Sequence, residues 1–248
     1  MRSNAGKTRK VKKSFLLVVL MAMVFLLCNV SLAEAQFKSS RQKLLDNNNR
    51  FRLEPSFFVG IGTDKIDVGI TTTGENVSIS GGGGVGGALT LGYGFYEKLD
   101  IDLTFGYQHS GLSKDVDNAD GSFDRTFLLG TLKYKIPVYS SGQVKFGGGI
   151  GYYMPDELDL DLSQVPNGSH DIIKYDNAIG FHITAEYEGF FSSYEWSWIV
   201  GIKYYYVTYD ADSCTSDGIS FPVNFLRDEI RKLDGSGFDF SIAIAKYF

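Results

Sequence analysis

Cysteine is nearly absent. The 248-residue sequence has two, Cys28 and Cys214, and Cys28 lies in an apolar run near the N-terminus. Cys214 alone has no internal partner, so a disulfide framework is excluded, and it reads most simply as a loop thiol. Proline is scarce as well, with five against 29 glycines. Beyond residue 30 no apolar stretch approaches 18 residues, which excludes a membrane-crossing helix there. Excess positive charge is also missing: the formal net charge is −5. Nucleic acid is therefore not expected as a partner, because phosphate binding needs a basic surface.

The N-terminus has a clear order. Arg2, Lys7, Arg9, Lys10, Lys12 and Lys13 come first without an acid, then an apolar run from Phe15 to Val30, then Ala33-Glu34-Ala35. Basic, apolar and small-x-small is the order of a secretory signal peptide, expected over 1–35 with Gln36 as the new N-terminus. Leu27 is too bulky for lipoprotein processing at Cys28. Cleavage would lower Lys+Arg from 24 to 18 and Asp+Glu from 29 to 28, leaving about −10 on about 213 residues. Residues 36–50 are polar and basic and read as a weakly ordered periplasmic extension.

What is abundant is aromatic and alternating. Aromatics make up 15% of the chain, and Tyr and Phe suit pleated surfaces and membrane interfaces. Eight segments show the two-residue period of a strand: about 51–62, 84–95, 98–108, 124–136, 143–154, 177–188, 196–208 and the C-terminal run. The third sets Leu99, Ile101, Leu103, Phe105 and Tyr107 against Asp100, Asp102, Thr104 and Gln108. The last sets Phe238, Phe240, Ile242, Ile244 and Phe248 against Asp239, Ser241, Ala243 and Ala245. Connections alternate between short (Tyr96-Glu97, Pro137–Gly142, Gly189–Glu195) and long (63–83, 109–123, 155–176, 209–237). Together these features predict an all-β fold, an eight-stranded antiparallel up-and-down transmembrane barrel over 51–248. A soluble sandwich would show the same alternation with its apolar face inside. Small and oppositely charged polar faces, aromatics near strand ends and a terminal Phe favour the membrane barrel.

On these features the chain resembles the small outer-membrane β-barrel superfamily, which includes the OmpA-type transmembrane domain and opacity-type surface antigens. The resemblance implies a bacterial outer-membrane location, with long loops outside, termini in the periplasm and lipid as the surrounding partner. It also implies an assembly signal read by the barrel-assembly machinery, here Phe240, Ile242, Ile244 and Phe248, with Lys246 departing from the usual apolar residue.

An eight-stranded barrel is wide enough only for side chains. The inward charges expected are Asp100, Asp102, Glu186, Glu188 and Asp239 against Lys133, Lys135, Lys145 and Lys203. Five acids and four bases predict a salt-bridged plug without a wide pore. His182-x-Thr184 with Glu186 is similar to the His-x-Ser pair and Glu of a lipid A deacylase, but Thr stands for Ser and the residues face inward. No enzyme, cofactor or metal site is therefore expected. His109 and His170 read as solvated. Asp115, Asp117 and Asp120-Gly121 depart from a calcium loop, with Thr126 where its last carboxylate belongs. Asp156, Glu157, Asp159 and Asp161 read as an acidic loop, and Gly81–Gly84 as flexible backbone. Phe225, Leu226, Ile230 and Leu233 at helical spacing predict a short amphipathic helix over Phe221–Leu233 that caps the mouth. The functional expectation is a surface protein acting through its loops, as adhesin, antigen or envelope element, with host surface molecules as candidate partners. A small-solute porin is the alternative.

Overall fold

The computed structural model describes residues 49–70, 76–113, 119–139, 142–162, 168–191 and 195–248. The expected signal peptide, most of the periplasmic extension, Asp115 and Asp117 lie outside the described residues. The described residues form fourteen strands: β1 Phe51–Gly62, β2 Ile66–Ile70, β3 Asn76–Ile79, β4 Gly84–Tyr96, β5 Leu99–Gly111, β6 Asp120–Tyr139 and β7 Gly142–Asp161. Then follow β8 His170–Tyr175, β9 Ala178–Phe190, β10 Trp196–Tyr206, β11 Thr208–Ser216, β12 Ile219–Phe221, β13 Lys232–Asp234 and β14 Gly237–Tyr247.

Eight of these are the staves of a closed antiparallel barrel. The ring runs β1–β4–β5–β6–β7–β9–β10–β14 and returns to β1, so no stave is left with an open edge. At the seam Phe248 N–H donates to Phe51 O at 2.9 Å, and Arg50 Nε to Phe248 O at 3.2 Å. Alternation follows the pleat. Leu89, Leu91, Ile101, Leu103, Phe240 and Ile242 stand exposed on the outer wall, while Asp100, Asp102 and Asp239 are buried inside. Lys246 faces outward at the rim, 2.7 Å from Glu195 and 4.9 Å above the Trp196 ring.

The long connections are more ordered than loops. β6 and β7 have 20 residues each, about twice the length a tilted strand needs to cross hydrocarbon. Their far ends carry a sheet continued by β8, β11 and β12, with β13 also on β11, while β2 and β3 form a separate hairpin. The expected acidic loop at Asp156–Asp161 is thus the end of β7. Leu158 and Leu160 turn into a core with Ile173 and Tyr175, and the acids alternate with them. Cys214 is likewise no loop thiol, since it lies in β11 and is buried in that core.

The helix expected over Phe221–Leu233 is replaced by β12, a 3-10 turn at Val223–Phe225, one helical turn α1 at Asp228–Arg231, and β13. The breaks have local causes. Pro222, Leu226 and Arg227 are extended, at ψ 134, 148 and 146. Proline has no N–H to donate and a fixed φ. Leu226, Ile230 and Leu233 still pack on the core, so the segment covers the mouth without being a helix.

Candidate functional site

Alternation in eight staves brings twelve charged side chains into the barrel. Nine are the residues read as inward from sequence; Arg52, Glu54 and Arg125 join them. The total is six acids and six bases. They form two layers.

The lower layer, toward the short connections, is centred on Arg52. Its guanidinium lies 3.0 Å from Glu54, 3.1 Å from Asp100 and 2.8 Å from Asp102. Lys133 bridges Asp102 at 2.8 Å and Glu186 at 2.6 Å. Lys135 holds Asp100 at 2.6 Å, and Lys145 lies 3.3 Å from Asp100 and 2.6 Å from Glu188. Glu188 also accepts from Gln143 at 2.7 Å, Ser197 at 2.5 Å and the Tyr247 hydroxyl at 2.6 Å. Each buried charge therefore meets opposite charge or a donor, which is what makes its burial tolerable.

The upper layer closes the mouth with aromatics. Lys203 reaches Asp239 at 2.9 Å and lies 4.9 Å from the centre of the Phe127 ring. Arg125 stacks 4.4 Å above Tyr205 and donates to Gln108 at 2.9 Å and Gly235 O at 2.8 Å. The Tyr205 hydroxyl donates a short bond to Gly82 O. The run Gly81–Gly83 is buried against this layer, contrary to the flexible backbone expected. A Cβ on Gly82 would stand 2.0 Å from Ser236 O, so only glycine lets these backbones meet.

A cavity of about 60 Å³ lies between the layers, bordered by Ser56, Thr90, Thr104, Thr131, His182 and Thr184 among others. Its size suits a few waters. His182 Nε2 lies 2.8 Å from the Thr131 hydroxyl, whereas the Thr184 hydroxyl donates to Glu186 at 3.1 Å. His182 and Thr184 therefore have different partners and no base-to-nucleophile bond joins them. The other two histidines are not simply solvated. His109 Nδ1 lies 2.6 Å from Asp124 and His170 Nε2 lies 2.8 Å from Asp159. Among the described residues no cluster of three or more ligating side chains has metal-binding geometry. Phe240, Ile242, Ile244 and Phe248, expected to form an assembly signal, are all exposed on the outer wall.

Arg52 and Glu54 were missed although parity marks them, since they alternate with Phe51, Leu53 and Pro55. Arg125 and Phe127 were obscured because apolar residues occupy both faces at Phe127, Leu128 and Leu129.

Compared with solved structures, the chain is similar to the outer membrane protein OprG from Pseudomonas aeruginosa, at 17% identity and a TM-score of 0.55, covering 81% of this chain and 96% of that one. The fold is that of the small eight-stranded outer-membrane barrels. Weaker matches are Neisserial surface protein A (12% identity, TM-score 0.47, 80% and 97% covered) and Ail of Yersinia pestis (10%, 0.43, 81% and 99%). No family model and no curated protein matches the chain.

Proposed function

We propose that the chain is a bacterial outer-membrane surface protein whose barrel sits in lipid while its long connections meet the exterior. Its short turns and chain ends then lie in the periplasm. The role is contact, as adhesin, antigen or envelope element. One observation carries this reading: an exposed apolar wall surrounds an interior where six acids are matched by six bases. Lipid is the solvent that makes both sides favourable, because it covers the wall and demands that interior charges be paired. The layers above and below the cavity leave contact with partners as the work best suited to this barrel, and recognition belongs to the segments beyond the mouth.

Planar-bilayer recording tests this against the small-solute porin, which the polar cavity favours. The expected result is no steady single-channel current. Steady single-channel currents in the unaltered chain overturn the contact role and favour the porin. Mass analysis of lipid A from expressing cells tests the enzyme reading, with no mass shift expected.

A further inference from the structure

The long-connection end carries an apolar ridge that nothing among the described residues covers. Ile219 is 63% exposed, Phe221 46% and Phe225 78%. The ridge is built, not frayed. Asp217 and Gly218, both at positive φ (49° and 78°), turn β11 into β12. Phe225 N–H donates to Pro222 O and Leu226 N–H to Val223 O, both at 3.1 Å. Leu226, Ile230 and Leu233 anchor the segment to the core from beneath. A surface already held in place loses little freedom when bound. Exposed aromatics so held are the usual anchors of a protein interface.

Charge selects the occupant. The four long connections, 63–83, 109–123, 155–176 and 209–237, contain 18 acidic and 6 basic residues. Four of those bases are engaged locally. Arg227 donates to Asp67 O at 2.8 Å, and Arg231 lies 2.6 Å from Asp228, Lys232 3.9 Å from Asp210 and Lys174 4.0 Å from Glu157. A second copy of this end, or an anionic lipid surface, would bring like charge against like. The backbone edge of β12 is a poor template for an added strand, because it is three residues long and ends at Pro222.

We propose that Ile219, Phe221 and Phe225 form a docking ridge for a protein partner whose apolar pocket is ringed by Lys or Arg. This rests on the surface reading above and specifies its partner. The aromatics supply the anchor, and the surrounding carboxylates steer the basic rim.

The test uses the full chain in phosphatidylcholine nanodiscs with three labelled synthetic peptides of equal length: alternating Lys–Leu, Lys–Ser and Glu–Leu. The Lys–Leu peptide is expected to bind about tenfold tighter than either other. The Phe221→Ser/Phe225→Ser variant is expected to bind Lys–Leu and Lys–Ser alike. Phe225→Ser alone, at the most exposed position, gives a partial loss if the double variant fails to fold, as read by heat-modifiable gel mobility. Equal binding of Lys–Leu and Lys–Ser by the unaltered chain, a preference that survives both variants, or tighter capture of phosphatidylglycerol vesicles overturns the ridge. An Asn224→Cys, Cys214→Ser chain on intact cells, exposed to an impermeant maleimide, separates the two readings. Labelled cells with no peptide discrimination overturn the ridge and spare the surface role. Unlabelled cells overturn the surface role and the ridge with it.

Discussion

Inside the barrel six acids lie among six bases, most at 2.6–3.3 Å, whereas the four long connections hold 18 acids and only 6 bases. The same residue types are under different rules in the two regions. A charge buried in the barrel has lost its water and must be repaid by a partner, so its surroundings fix the count. A charge on the long-connection sheet keeps its water, and neither sign nor number is constrained by folding. Acidity concentrated there is free to serve recognition.

Removing single charges from each region should break this contrast most visibly. Lys145→Ala takes the 2.6 Å ammonium from Glu188 and one of three cations from Asp100, and is expected to cost about 3–5 kcal/mol in urea unfolding from bilayers. Steric insertion at the mouth should come next. Gly82→Ala drives a methyl into Ser236 O and is expected to cost about 1–3 kcal/mol, with faster proteolysis of the 207–236 segment. On the acidic sheet, Glu157→Gln loosens a 4.0 Å pair between exposed partners and should stay within about 0.5 kcal/mol of the unaltered chain. A Glu157 effect as large as that of Lys145 would mean that the two regions obey one rule.

The smallest expected effect is a pH response confined to the acidic sheet. The hydrogen bond to Asp159, helped by the neighbouring Asp161 and Asp217, holds the His170 imidazole above its ordinary value. A raised folded value stabilises through the protonated ring. That contribution is complete below the unfolded value of about 6.5 and is lost as pH rises through the folded one. Protection of the β7–β8 amides relative to their intrinsic exchange rate should therefore be greater at about pH 6 than at about pH 8.5, and Asp159→Asn should flatten the difference. Equal protection in the unaltered chain at both pH values would remove His170 from any role in that pairing.

The staves were legible because their signal is local. A buried face and an exposed face alternate along one strand, so Leu99–Tyr107 declares itself without reference to any neighbour. The same signal lay in Leu158 and Leu160 between carboxylates, but acids there looked like a solvated loop, and the strand that pairs with them, β8, is short. The helical spacing of Phe225, Leu226, Ile230 and Leu233 was real as a pattern. It failed because Pro222 and two extended residues interrupt the backbone, and because burial of Leu233 comes from pairing β13 with β11.

Sequence by itself determined which residues face in and which face out along each barrel stave, because the pleat assigns sides from a residue's own position and needs no partner. Tertiary structure alone decided who meets whom. Arg52 reaches Asp100 and Asp102 from two staves away, and Gly82 meets Tyr205 and Ser236 across the mouth, because the ring closes and brings residues distant in the chain into contact. Ring closure also turns nine scattered charges, with Arg52, Glu54 and Arg125, into one balanced interior.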